Sequence, residues 1–133
     1  MTLKQEQLEG GIIRVILKGT LDIEGTAALE PQLAHLTASD RAFVIMDLAG
    51  VEFMSSIGIG AIVRVAKTLR RRGGNMVLLS PKQVVHLILA KTRIDSLIPI
   101  VFELQEACRR VMELPPRIGG LADGPSGPTA GSA

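Results

Sequence analysis

The chain has 133 residues, 47% of them hydrophobic, and a formal net charge of +2. That length supports one domain with a single core. With no Trp, no Tyr and three Phe, the core is aliphatic and base-stacking surfaces for single-stranded nucleic acid are not expected.

The small net charge gives no footprint for direct nucleic-acid binding. One cysteine, Cys108, excludes an intrachain disulfide, and two scattered histidines supply no metal-ligand spacing. Residues 1–10 are polar and lack an apolar leader segment. No apolar run reaches the length of a membrane span. A cytoplasmic protein without membrane insertion is expected.

Residues 3–8 and the β-branched run Ile12–Leu17 read as two strands of a hairpin joined at Glu9-Gly10-Gly11. Gly19-Thr20-Leu21-Asp22 closes the second strand. A helix over 25–38 follows, with Ala28, Leu29, Leu33 and Leu36 on one face. Pro31 falls inside this pattern. Proline sits comfortably only in a first turn, which moves the expected start towards Glu30. His35 reads as a surface residue with no partner for base chemistry.

Phe43–Met46 reads as a buried strand closed by Asp47-Leu48, with a small turn at Ala49-Gly50. Val51–Met54 then leads into Ser55-Ser56. From Ile57 the spacing becomes helical: Ile57, Ala61, Val65 and Leu69 recur four apart, with Ile62 and Ala66 beside them. This helix, over 57–72, ends in Arg70-Arg71-Arg72 before Gly73-Gly74, a basic last turn followed by a glycine stop. A serine at the start of such a helix is an N-cap. The same N-terminus, with free N–H groups and the positive dipole end, also receives a phosphate. Local physics leaves both roles open.

Asn75–Leu79 is a further strand. Ser80-Pro81 reads as cap and first position of a helix reaching about Ala90 and burying Val84, Val85, Leu87 and Ile88, with His86 on the surface. Residues 91–97 connect to a short strand, Ile98–Val101, and a last helix over about 103–114 with Leu104, Ala107, Cys108 and Val111 on one face. From Pro115 the chain is rich in Pro, Gly, Ser and Ala, with too little apolar surface to offset its ordering entropy. The expected organisation is a domain over 1–114 and a flexible tail over 115–133. Strands alternating with helices give an α/β fold, a mixed sheet of about 4–5 strands with about 4 helices. The loop after the central strand then lies at the carboxyl end of the sheet, where such folds place their sites.

The segment Asp47-Leu48-x-x-Val51-x-Phe53-Met54-Ser55-Ser56-x-Gly58-Ile59-Gly60 resembles the signature of the STAS domain family, and most of all its bacterial anti-sigma factor antagonists. The resemblance covers residues 3–113 and implies the STAS fold. In that family the serine two before the first glycine is phosphorylated, which points to Ser56. Ser55 stands where many members carry Asp and is the second choice. Gly19-Thr20-Leu21-Asp22 is similar to a family Gly-x-Leu-Asp whose carboxylate lies near the phosphorylatable serine. Asp22 takes that role by resemblance and the role of a helix cap by local chemistry. The implied partner-binding set is Asp22, Met54, Ser55, Ser56, Ile57 and Gly58. Met54 and Ile57 read equally as exposed apolar contacts and as core. Arg64, Lys67, Arg70 and Arg71 read as a face for an acidic partner or as a solvated helix face.

The resemblance implies that the unphosphorylated domain binds an anti-sigma factor, itself a serine kinase of the GHKL type, and so frees a sigma factor. The kinase would use ATP to phosphorylate Ser56 and switch binding off; a serine phosphatase would restore it. No cofactor and no catalytic role are called for. Gly58-Ile59-Gly60 and Gly73-Gly74 make neither a Walker loop nor a dinucleotide fingerprint, and no spacing supports a Ser-His-Asp set. The alternatives are a constitutive STAS subunit of a phospholipid ABC transport system and a stress-signalling scaffold.

Overall fold

The computed structural model describes residues 1–38 and 41–113. The tail expected over 115–133 lies outside the described residues. Among these, five strands and four α-helices follow in the order β1 (Thr2–Gln7), β2 (Ile12–Leu21), α1 (Ile23–Leu36), β3 (Phe43–Met54), α2 (Ser56–Arg71), β4 (Asn75–Leu79), α3 (Gln83–Lys91), β5 (Ile100–Val101) and α4 (Leu104–Met112). Short 3-10 turns lie at Glu9–Gly11 and Ile94–Ser96.

The sheet order is β1-β2-β3-β4-β5. β1 pairs antiparallel with β2, and β2 to β5 are parallel. This is the expected mixed sheet. Each parallel step needs a crossover. Steps that advance in one direction with one hand collect their helices on one face. Accordingly Leu29 and Leu33 of α1, Ile62 and Val65 of α2, and Val85 and Leu89 of α3 pack with Val15, Leu17, Val44 and Met46. The other face carries α4, whose Ala107 and Val111 pack with Ile12, Ile45, Val77 and Leu79.

Several expected boundaries move, each for a physical reason. Asp22 caps α1, its Oδ1 accepting from Gly25 N at 2.7 Å, so the helix starts at Ile23 and not near Glu30. Pro31 is therefore interior. Its missing N–H leaves the Ala27 carbonyl without a helix partner, but both residues are exposed and water can take that bond. Ala28 is exposed, and Thr26 takes the buried position ahead of Leu29.

Ser80 does not cap α3. Its N–H donates to Val101 O at 2.8 Å and its Oγ to Phe102 O at 3.2 Å. It thus extends the pairing towards β5, and α3 begins only after Lys82. With nine residues, α3 reaches the core through Val85 and Leu89. Val84 and Leu87, expected inside, are 48% and 55% exposed. The stop of α2 is as expected: Gly73 adopts φ 85°, and Gly74 N returns to Leu69 O at 2.8 Å.

The expected turn at Ala49-Gly50 is absent. β3 runs through it, with two irregularities in its pairing to β2. Leu48 and Ala49 stand against Leu17 alone, between the pairs Ile16–Asp47 and Lys18–Gly50. Glu52 is then extra between Gly19–Val51 and Thr20–Phe53. Each inserted residue shifts the alternation by one. That is why Leu48, Val51 and Met54, three apart, are all buried.

Candidate functional site

The carboxyl end of β3 delivers two serines to the start of α2, beside the start of α1. Leu21 ends β2 and pairs with Met54. Its carbonyl then accepts from Ser55 N at 2.9 Å and from Ser55 Oγ at 2.8 Å. The same Ser55 oxygen accepts from Gly58 N at 3.2 Å, capping α2. Ser55 is thus half-buried and fully engaged as an N-cap.

Ser56 is the first residue of α2 and is exposed. Its hydroxyl makes no hydrogen bond among the described residues. A helix leaves its first N–H groups without internal partners. The Ser55 side chain engages that of Gly58, and Ile59 N–H starts the helix series on the Ser55 carbonyl. The N–H groups of Ser56 and Ile57 belong to the same open turn. The first turn of α2 carries no acidic residue of its own to offset the positive end of the helix.

Asp22 immediately follows Leu21, so the cap of α1 and the cap of α2 meet at one carbonyl. Gly58 makes this approach possible. A Cβ there would lie 2.7 Å from Leu21 O and 2.8 Å from Leu21 Cβ. Thr26 Oγ1, buried and without a hydrogen-bond partner among the described residues, faces the same glycine at 3.3 Å from that position. Gly58 is therefore a packing residue, buried rather than presented to a partner.

Of the apolar residues expected at this surface, Ile57 is exposed but Met54 is 1% exposed and belongs to the core. The correction follows from Glu52, the extra residue that turns Met54 inward and Phe53 outward. Phe53, on the strand end, and Ile23, at the start of α1, are exposed large apolar residues that sequence reasoning missed. The three-residue spacing of Leu48, Val51 and Met54 was the available signal for Phe53. Glu52 is exposed and pairs with Lys82 at 2.7 Å.

Of the basic residues of α2, Arg64, Lys67 and Arg71 are exposed along one side of the helix, spaced three and four apart, and Arg70 is not part of that side. Arg64 pairs with Glu30 at 3.6 Å, and Arg71 donates to Thr68 Oγ1 at 3.0 Å. Arg70 points inward and donates to Asn75 Oδ1 at 3.1 Å and to Leu97 O at 2.6 Å. Burial pushes its guanidinium below the ordinary arginine value. Arg70 is thus a structural tie and leaves the proposed acidic-partner face.

Among the described residues no group of three or more His, Cys, Asp and Glu is placed to hold a metal ion. No described helix is long and apolar enough to cross a membrane. His86 stacks edge-on against Phe102, ring centroids 5.5 Å apart, and His35 is exposed.

The arrangement has relatives. The model of the STAS domain family matches residues 5–107. A putative anti-sigma factor antagonist of Bordetella bronchiseptica, BtrV, is 26% identical over 117 residues, 88% of this chain and 100% of the relative. The crystal structure of a putative anti-sigma factor antagonist from Thermotoga maritima superposes with a TM-score of 0.75 at 22% identity, covering 84% of this chain and 95% of that one. The phosphorylated form of the Bacillus cell fate determinant SpoIIAA superposes with a TM-score of 0.62 at 18% identity, covering 83% and 99%. Those structures share the fold of five strands and four helices built here around the Leu21–Ser55 junction, and with the family model matched across the sheet and all three crossover helices, the chain belongs to the STAS domain family.

Proposed function

We propose that the chain is an anti-sigma factor antagonist whose binding is switched by phosphorylation of Ser56. The observation that carries this reading is the division of labour between adjacent serines. Ser55 is held by the Leu21 carbonyl and caps α2, while Ser56 is exposed at the helix start. The names of the relatives, anti-sigma factor antagonists in Bordetella and Thermotoga, support the same reading.

In the unphosphorylated state the exposed surface around Ser56 binds an anti-sigma factor, and a sigma factor is released. Asp22 and Ile57 contribute to that surface, joined by Ile23 and Phe53, which supply large apolar contacts of the kind that anchor interfaces. The partner is a serine kinase of the GHKL type. In the transfer, Ser56 Oγ attacks the γ-phosphorus of ATP, its proton passes to a base of the kinase, and ADP leaves with the bridging oxygen. The phosphoserine adds about −1.5 to −2 charges at neutral pH. Buried against the partner, this charge meets desolvation and repulsion. A loss of about 3 kcal/mol weakens binding roughly a hundredfold. Within the domain the phosphate sits at the positive end of α2, so the fold is retained. A serine phosphatase restores the binding form. The chain acts in the cytoplasm as binding partner and phosphate acceptor, not as an enzyme.

The test is phosphate transfer from ATP by candidate anti-sigma kinases, followed by intact mass and peptide mapping. The expected result is one phosphate, retained in Ser55→Ala and lost in Ser56→Ala, with weaker kinase binding by the phosphorylated chain. A kinase that binds stably and leaves both serines unmodified would show a constitutive partner instead.

A further inference from the structure

Asp47 is 6% exposed and lies far down β3 from the serines. Its two carboxylate oxygens do different work. Oδ1 accepts from Ala49 N at 3.0 Å, the Asx-turn bond in which a short carboxylate captures the backbone two residues on. Oδ2 accepts from Arg14 Nη2 at 2.7 Å and Nε at 3.2 Å. Arg14 in turn reaches Glu6 on β1 at 3.1 Å. The carboxylate is therefore anchored across three strands and tied to the N–H of a residue in the first bulge of β3.

That bulge is the first of two one-residue shifts that set the register at the end of β3. At the offset that joins Ile16 to Asp47, Leu21 would face Glu52, and Ser55 would lie past the reach of the Leu21 carbonyl. With both insertions Leu21 faces Met54, and Ser55 N and Oγ close on Leu21 O.

We infer that Asp47 is a positioning residue for Ser56: by holding Ala49 N–H it pins the first bulge of β3, and that bulge, together with the insertion at Glu52, brings Ser55 onto Leu21 and presents Ser56 at the start of α2. The inference rests on the phosphoacceptor reading of Ser56 for its functional consequence. Its structural content, the coupling of Ala49 to Ser55, is independent of that reading. A slipped register moves Met54 out of the core and Ser55 off its acceptor. Ser56 is then no longer the first residue of an ordered helix, and a kinase meets a disordered acceptor.

Amide hydrogen exchange followed residue by residue on the full chain tests the coupling. In Asp47→Ala, Ser55 and Gly58 are expected to exchange about tenfold faster or more, since a lost hydrogen bond to a charged group opens the local equilibrium by that order. Val77 in β4 and Ala107 in α4 serve as references for general destabilisation. In Asp47→Asn the amide oxygen can still accept from Ala49 N–H while Arg14 loses its acceptor, so Ser55 is expected to exchange more slowly than in Asp47→Ala, though faster than in the parent. Phosphate incorporation at Ser56, measured with a kinase that modifies the parent, follows the same order. Equal acceleration at Ser55, Val77 and Ala107 in Asp47→Ala overturns the positioning role, as does an Asn variant as open at Ser55 as the Ala variant. Should Asp47→Ala not fold, the parent alone decides. Ala49 and Ser55 share one urea dependence of exchange if bulge and clamp open together, and a Ser55 that opens independently of Ala49 overturns the inference. A parent that takes no phosphate on Ser56 from any kinase overturns the phosphoacceptor reading and leaves the exchange result standing.

Discussion

Ser55 holds the Leu21 carbonyl twice, through its N–H at 2.9 Å and its Oγ at 2.8 Å. This one acceptor joins the end of β2 to the start of α2, and it separates the tasks of two adjacent serines. The first is spent on structure. The second is left at the surface.

Substituting the two serines therefore gives unequal losses of stability. Ser55→Ala removes the cap of α2 and one of the two donors to Leu21 O, and is expected to cost about 1–2 kcal/mol. Ser56→Ala removes a solvated hydroxyl and should stay within about 0.5 kcal/mol of the parent. Ser55→Asp retains an acceptor for Gly58 N–H but loses the donor to Leu21 O, so it should recover at most part of the Ser55→Ala loss. Urea unfolding of the three variants measures the order.

Gly58→Ala carries opposing effects. Alanine improves intrinsic helix propensity by about 1 kcal/mol. Its Cβ, however, would lie 2.7 Å from Leu21 O, against backbone that the Ser55 bonds hold in place. Overpacking of this kind costs about 1–3 kcal/mol, and the net change is expected to be destabilising. A raised midpoint in thermal unfolding would show that α2 shifts away from β2 without penalty.

Met54 and Phe53 should separate stability from binding. Met54 is 1% exposed, and truncation to Ala is expected to cost about 2–5 kcal/mol of folding free energy. Phe53 is 46% exposed. Phe53→Ala should leave unfolding nearly unchanged and weaken binding to an anti-sigma factor by about tenfold, as loss of an aromatic anchor does. Calorimetric titration beside urea unfolding reads both quantities on the same samples.

Asn75 links the two faces of the sheet. It is 2% exposed; its Oδ1 accepts from Arg70 of α2, and its Nδ2 donates to Val111 O and Glu113 O at the end of α4. Asn75→Ala strands these partners without removing them, a loss of about 1–3 kcal/mol. The amides of the last turn of α4 should lose protection more than those of α1. Equal protection in both helices would show that α4 is held by its apolar face alone.

Much of this was written locally. The stripe Ala61, Ile62, Val65, Ala66 and Leu69 and the glycine stop of α2 follow from a 3.6-residue period and from φ 85° at Gly73, and each needs only its own neighbours in sequence. The same is true of the strands Ile12–Leu17 and Asn75–Leu79 and of the spacing between Ser56 and Gly58. The mixed sheet with four helices follows from their order.

Other features depend on partners far along the chain. Ser55 and Ser56 have the same side chain, and Ser55 becomes the cap because a carbonyl 34 residues earlier meets it. Ala49-Gly50 looks like a turn until β2 supplies the register that makes Leu48-Ala49 a bulge, and the inward Met54 and outward Phe53 follow from the second insertion, at Glu52. Val84 and Leu87 read as core in a helical pattern, yet α3 touches the sheet along a single edge. Periodicity tells which residues share a side of an element; what that side meets is decided only when the strands are in register and the helices are laid across them.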